Sequence, residues 1–179
     1  MAEAARPYDL LSEYERQSLA HDPGVPEQIE SPGLWRGIGF RIRSYHFVSS
    51  ISEVGEILTP LPMADVPGTL PWLLGVTNLR GNLVPVVDLG HFLFDEVTQS
   101  TPRTRLLVVY QPGGHVGLLV DEITGLQTLT LEQREHAEGE AHIKLRRFVE
   151  ENITLDDKRL GVFSMTRLTR ASDFLQAAL

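Results

Sequence analysis

The chain has 179 residues, of which 42% are hydrophobic and none is cysteine. This content is enough to bury a core as one domain or as two small subdomains, and the lack of cysteine excludes a disulfide framework and a cysteine-based zinc site. The formal charge of -8 repels a phosphate backbone and disfavours nucleic acid as the main partner. No segment has the composition of a secretory signal or of a membrane-spanning helix, so we expect a cytoplasmic protein that binds other proteins without inserting into the membrane.

The first 33 residues carry the signals of a helix followed by a linker. Tyr8 to Ala20 predicts a short helix that Asp9 can cap, and a stretch rich in proline and glycine follows it. We therefore expect an N-terminal helix and linker over residues 1–33 and a compact domain over residues 34–179.

From Ile38 onward the hydrophobic residues recur with a two-residue period, which indicates strands. The predicted strands after this first one are Tyr45 to Val48, Ile51 to Leu58, Leu74 to Leu79, Leu83 to Leu89, Arg105 to Tyr110, Val116 to Ile123, Leu126 to Leu129 and Arg159 to Met165. Such closely spaced short strands favour barrels or sandwiches over a parallel sheet. Residues 172–179 predict a short C-terminal helix, so the expected fold class is all-β with a short helix at each end.

Two joints between strands have the composition of hairpin turns, Arg80-Gly81-Asn82 and Gln111 to Gly114, because glycine supplies positive φ. A faint internal similarity also links Arg80 to Leu89 with Lys158 to Met165. Both segments run from a basic turn into an apolar strand and then a small polar residue. This similarity is weak support for two similar barrels.

The segment from Leu74 to Leu89, LGVTNLRGNLVPVVDL, closely resembles the most recognisable stretch of CheW-like domains, a GV-x-N-x-RG-x-x-x-PV-x-DL pattern. Other pieces of the family pattern flank it in the expected order, and the likeness covers roughly residues 35 to 168. The N-terminal segment from Tyr8 to Arg16, the strand from Trp35 to Phe40 and the Pro71-Trp72 pair are similar to the adaptors of type IV pilus (twitching) chemosensory systems.

This resemblance implies a fold and two partners. The fold would be two five-stranded SH3-like barrels, with subdomain 1 at about 34–94 and subdomain 2 at about 103–168. The partners would be the tip of a methyl-accepting chemotaxis receptor and the CheW-like regulatory domain of a chemosensory histidine kinase, in arrays on the inner face of the membrane. The resemblance also places five residues at the receptor-contacting groove: Ile51, Val54, Glu56, Gly75 and Arg80. It does not indicate which edge meets the kinase.

Arg80 is also notable on physical grounds, because an arginine that ends an apolar strand needs an acceptor if it is partly buried. Glu56, which shares a strand face with Val54, is the natural partner. The alternative reading is that this pair only staples two strands. Gly75 and Gly81 likewise can be bulge or turn glycines rather than contact residues. In the second barrel Ser164 stands where the first has Asp88, which puts in doubt any ion pair that needs a carboxylate there.

The sequence carries no pattern for catalysis, a cofactor or a metal site. The six histidines are scattered, and no H-E-x-x-H, P-loop or G-x-S-x-G motif occurs. The leading hypothesis is therefore a non-catalytic adaptor that couples receptor to kinase. One alternative is a CheW-like array spacer that does not contact the kinase. Another is a small ligand-binding barrel or enzyme that uses the cleft between the barrels, which would need a deep polar pocket there instead of the shallow apolar groove that we expect.

Overall fold

The computed structural model describes residues 34–111, 113–130, 134–136, 143–155 and 158–177. The predicted N-terminal helix lies outside these residues. Eleven strands are present in the described residues: β1 Leu34–Ile42, β2 Tyr45–Ser50, β3 Val54–Leu58, β4 Leu73–Leu79, β5 Asn82–Asp88, β6 Arg105–Gln111, β7 Gly114–Val120, β8 Glu122–Thr130, β9 Arg134–His136, β10 Val149–Leu155 and β11 Lys158–Phe163. Three short helices accompany them: α1 Leu89–Phe94, α2 Met165–Arg170 and α3 Ser172–Leu175.

The strands form two sheets. One has five strands in the order β3-β6-β7-β5-β4, and the other has six in the order β8-β1-β2-β11-β10-β9, where β9 contributes only three residues. In each sheet one pair is parallel, β5 with β7 and β11 with β2, and all other pairs are antiparallel. The all-β fold class predicted from the sequence is confirmed.

Apart from β9, which has no counterpart, each strand of one sheet corresponds to a strand of the other. The series β1 to β5 corresponds to β6, β7, β8, β10 and β11, and irregularities in strand pairing recur at matching places. One such pair is the register shift between Val54 and Glu56 and the shift between Gly39 and Phe40. Each series also ends in a six-residue helix whose first amides are capped, by Asp88 for α1 and by Ser164 for α2.

The strand pairing corrects the expected division into a barrel at about 34–94 and a barrel at about 103–168. Those bounds match the two sequence repeats, but each sheet takes strands from both of them. The five-stranded sheet joins β3, β4 and β5 to β6 and β7, whereas the six-stranded sheet joins β1 and β2 to the strands after β7. The repeats thus exchange their first two strands. Hydrophobic periodicity identifies strands but cannot say which copy of a repeat a strand pairs with, and so the sequence did not reveal this exchange.

One apolar core lies between the sheets. Phe40, Phe47 and Phe163 of the six-stranded sheet have ring centroids 5.4 to 5.8 Å apart, and they belong to the same cluster as Leu107 and Leu118 of the five-stranded sheet. A smaller cluster of buried side chains belongs to the six-stranded sheet alone and consists of Val48, Leu129, Ile153 and Leu160. Because the main cluster draws on both sheets, the two sheets are stabilised together by burial of apolar surface.

The C-terminal segment packs on the first repeat. Phe174 of α3 is buried and its ring stacks on Trp72 with centroids 5.9 Å apart. The amide of Leu70 donates to the carbonyl of Ala177 at 2.7 Å. The predicted helix over residues 172–179 is shorter than expected, because α3 ends at Leu175.

Candidate functional site

Three of the five predicted receptor-contact residues lie on two consecutive segments, and a fourth, Arg80, reaches them from another part of the five-stranded sheet. Ile51 is in a short 3-10 turn, Ile51–Glu53, that leads into β3, and Val54 and Glu56 are on β3 itself. Arg80 is in the turn between β4 and β5. The structure brings Glu56 and Arg80 into direct contact, as the sequence predicted.

The backbone of Arg80 is held in an unusual conformation. Arg80 and Gly81 form a two-residue hairpin turn with φ of 53° and 88°, the left-handed values of a type I′ turn. The amide of Gly81 donates to the Asn78 side-chain oxygen at 2.8 Å, which holds the turn closed. An arginine in this region carries strain on the order of 1 kcal/mol or more, which glycine or asparagine largely avoids. Strain of this kind clusters at functional sites, so Arg80 is a functional candidate, although among the described residues Arg43 and Asp95 also have positive φ, of 56° and 58°.

The Glu56–Arg80 ion pair is short but open to water. The guanidinium Nη2 of Arg80 lies 2.7 Å from Oε1 of Glu56, and the side chains are 76% and 28% exposed respectively. A pair so exposed contributes about 0–1 kcal/mol to stability, which is no more than the strain of the turn that carries it. The pair therefore contributes little to the stability of the fold, and both groups remain accessible to a partner.

An open pocket of about 210 Å³ borders this ion pair. Tyr110, 59% exposed, and His115 lie side by side in it, with ring centroids 5.0 Å apart. Gly55 permits this arrangement, because a Cβ there would come within about 3.1 to 3.2 Å of the Tyr110 ring. An exposed tyrosine beside a charged pair is a typical anchor for a protein partner. Neither Tyr110 nor His115 was predicted from the sequence to be a contact residue, although an aromatic residue at the end of an apolar strand is a signal that could have found Tyr110.

Charged and polar groups line the pocket together with apolar ones, and all of them belong to the five-stranded sheet and its turns. The pocket differs from an enzyme pocket. Its volume is below the range of about 300–1,000 Å³ that is usual for small-molecule sites, and its carboxylate is already paired with Arg80. Within the described residues no group of three His, Cys, Asp or Glu side chains could hold a metal ion.

Ile51 and Val54 have different surroundings. The side chain of Ile51 is 43% exposed, and that of Ile57, which follows Glu56 on β3, is 38% exposed. Val54 is half-buried and packs against the main core. Glu53, between them, accepts hydrogen bonds from the amides of Met165 and Thr166 at 3.3 and 3.0 Å. This carboxylate fixes the turn that carries Ile51 to the start of α2.

Gly75 is set apart from the other predicted residues. It is buried in β4 with φ of +144°, and a Cβ at this position would overlap the carbonyl oxygen of Ala64. Ala64 and Val76 exchange two backbone hydrogen bonds of 2.8 and 2.9 Å, so the 60–67 segment lies directly over Gly75. Gly75 is therefore a residue that lets two backbone segments approach, and a partner cannot touch it in this arrangement.

Asp88 caps the start of α1. Its buried carboxylate accepts from the amide of His91 at 3.0 Å and from the amide and hydroxyl of Thr98 at 2.7 and 2.6 Å. Ser164 takes the same place in the second repeat and accepts from the amide of Arg167 at 3.3 Å. The change from carboxylate to hydroxyl keeps the helix cap, and the described contacts of Ser164 include no ion pair.

These features define an all-β protein that presents a charged and aromatic surface suited to binding another protein. The CheW-like domain family model matches residues 36–173, and the chain belongs to this family. None of the helices in the described ranges has the length and apolar character needed to cross a membrane.

Several known proteins are similar to this chain, and some of them are named chemotaxis proteins. Protein PilI of Pseudomonas aeruginosa is 37% identical over 127 residues, which cover 71% of each chain. The probable chemotaxis protein CheW of Rhizobium etli is 36% identical over 93 residues, or 52% of this chain and 60% of that protein. The crystal structure of the scaffolding protein TtCheW from Thermoanaerobacter tengcongensis covers 77% of this chain and 94% of its own, with a TM-score of 0.67 at 22% identity, and this likeness shows a shared fold.

Proposed function

We propose that this protein is a non-catalytic cytoplasmic adaptor that couples a methyl-accepting chemotaxis receptor to a chemosensory histidine kinase. Membership of the CheW-like family supports this proposal, as do the names of its chemotaxis relatives. The similarity to PilI supports a place in type IV pilus (twitching) signalling. We assign the receptor tip to the surface that carries Ile51, Val54, Glu56 and Arg80.

The observation that carries the assignment is the exposed ion pair on a strained turn. An arginine at φ of 53° is costly for the hairpin, and its exposed bond to Glu56 offsets only about 0–1 kcal/mol. A contact made outside the chain gives a reason for this residue that the fold does not. A docking partner would exclude water from the ion pair and from the neighbouring Tyr110 ring. This would strengthen the partner's contacts with the charged groups and with the ring.

An adaptor of this kind works through binding free energy alone. One surface holds the receptor and another holds the kinase regulatory domain. The signal then passes as a shift in the populations of kinase states, whose size is set by how differently the complex binds each state. No bond is made or broken in the adaptor during this process.

The test uses the two single charge changes Glu56→Arg and Arg80→Glu, together with the double exchange. Binding to the cytoplasmic tip of the receptor and to the kinase regulatory domain is measured separately by pull-down and by titration. We expect each single variant to bind the receptor tip about tenfold or more weakly, because it places a like charge opposite the partner. Lys158→Glu, an exposed change elsewhere on the surface, serves as the matched control.

The double exchange separates a contact role from a structural one. It restores an ion pair between β3 and the turn but reverses the charges that a partner meets. If the pair acts only as a staple, the double variant regains normal receptor binding. Persistent weak binding by a folded double variant supports the assignment, and normal binding by all three variants rules it out.

A further inference from the structure

A second pocket, which we call the cationic pocket, lies where the 3-10 turn Leu145–Arg147 meets α2. It is open, with a volume of about 290 Å³, and it is lined by Arg147, Phe148, Thr166, Arg167, Arg170 and Ala171. Three of these six residues are arginines and none is acidic. In a chain with a formal charge of -8, these three arginines form a local concentration of positive charge, which Asp173 offsets in part through its pair with Arg147.

One arginine of the pocket already shows which anion it accepts. The guanidinium of Arg147 binds both carboxylate oxygens of Asp173, at 2.6 and 2.8 Å, and also lies over the Phe148 ring, 5.2 Å from its centroid. This fork-to-fork geometry is the typical way in which arginine recognises a carboxylate. Both side chains of the pair are almost half exposed, so this arginine–carboxylate pair lies at the protein surface.

Another arginine of the pocket is available for an incoming group. Arg170 is exposed, and it makes no hydrogen bond or ion pair through its side chain in the described part of the chain. It follows Arg167 by three residues on α2, so both lie on neighbouring positions of the helix surface. An acidic group placed here would reduce the repulsion between like charges.

The backbone of α2 argues against a small inorganic anion as the natural occupant. A phosphate at the start of a helix depends on free amides, and here these amides are taken. Those of Met165 and Thr166 donate to Glu53, and that of Arg167 donates to Ser164. The guanidinium groups of the arginine side chains remain, and they suit carboxylate side chains carried on a polypeptide.

We propose that the cationic pocket docks an acidic segment of a partner protein, through aspartate or glutamate side chains that reach Arg170 and its arginine neighbours. This site is separate from the Glu56–Arg80 pair and goes beyond the proposed coupling function, because its chemistry does not depend on which receptor or kinase is used.

The probe is a fluorescein-labelled octaglutamate peptide titrated onto the full chain at low and physiological salt, with fluorescence anisotropy as the readout. Arg170→Glu should weaken binding by about threefold or more at low salt, and Arg170→Gln by a smaller factor. Lys158→Glu is the matched control, since it changes the net charge by the same amount at another exposed position. Circular dichroism of each variant confirms that the comparison is made between folded proteins.

The proposal is supported if the peptide binds, if binding weakens with salt, and if Arg170→Glu weakens it while Lys158→Glu leaves it nearly unchanged. Equal loss in both variants would mean non-specific attraction, and it would overturn the site. Two further titrations use inorganic phosphate and phosphatidylglycerol vesicles. Tighter, Arg170-dependent binding of either one would reject a protein segment as the occupant. Receptor and kinase take no part in these measurements, so a failure here leaves the proposed function standing.

Discussion

Replacement of Gly75 by alanine is expected to damage the fold rather than a partner contact. An alanine would have to adopt φ of +144°, and its Cβ would overlap the Ala64 carbonyl oxygen. The backbone strain costs on the order of 1–3 kcal/mol. Displacing the 60–67 segment would also break the two hydrogen bonds between Ala64 and Val76, each worth about 1 kcal/mol. We therefore expect a loss of about 3–5 kcal/mol from a total stability that is typically 5–15 kcal/mol.

Urea denaturation followed by tryptophan fluorescence measures this loss as a fall of about 2 M in the transition midpoint. Gly68→Ala is the matched control. Gly68 also has positive φ, +76°, but a Cβ there would meet no atom within 4 Å, so only the backbone term of about 1 kcal/mol applies. If Gly75→Ala proved as stable as Gly68→Ala while binding the receptor tip poorly, the burial argument would be refuted and Gly75 would return to the interface.

Two further predictions concern buried and surface carboxylates. Asp88→Ala should lower the free energy of unfolding by about 3–5 kcal/mol, because it removes the α1 cap and leaves the buried amide and hydroxyl of Thr98 without an acceptor. Ser164→Ala should lower it by only about 1 kcal/mol, because only a helix cap is lost. Equal urea midpoints for the two variants would contradict this prediction. The hydrogen bond from Arg147 holds the pKa of Asp173 below its ordinary value, so this pair stabilises the fold above about pH 4 and the contribution is lost as pH falls through the lowered pKa. Both side chains are almost half exposed, which limits the effect to less than about 1 kcal/mol, and Asp173→Asn should remove that part of the stability profile below pH 4 in acid titrations of the urea midpoint.

Much of the fold could be predicted because its signals are local. The turn at Arg80-Gly81 and the alternation on either side of it fix β4 and β5 to within a residue. Strand β10 was missed, since Val149–Leu155 has charged and polar residues at its start and no clean alternation. The boundary between β7 and β8 at Asp121 was also missed, because one strand was predicted from Val116 to Ile123. There the carboxylate of Asp121 accepts a hydrogen bond from the amide of Arg43 at 2.6 Å. This contact joins residues far apart in the chain, so no local sequence pattern could predict it.

The candidate site was predictable in part for the same reason. The pairing of Glu56 with Arg80 followed from charge complementarity between two strand segments, and the structure confirms that contact. The burial of Gly75 depends on how a separate segment crosses over it, and the exposure of Tyr110 depends on the glycine at position 55. Both are three-dimensional facts that sequence spacing alone does not contain.

The exchange of strands between the two repeats has a consequence for how the polypeptide matures. During synthesis the first repeat emerges with β1 and β2 ready to pair with each other, but their outer neighbours, β8 and β11, are still to be made. The five-stranded sheet cannot be completed until β7, which ends at Val120, has been made, and the six-stranded sheet has to wait for β11, which ends at Phe163. Cleavage of the connection around residues 95–104 would thus yield two fragments with unpaired strands, neither of which could fold alone. The molecule is therefore expected to fold in a single cooperative step.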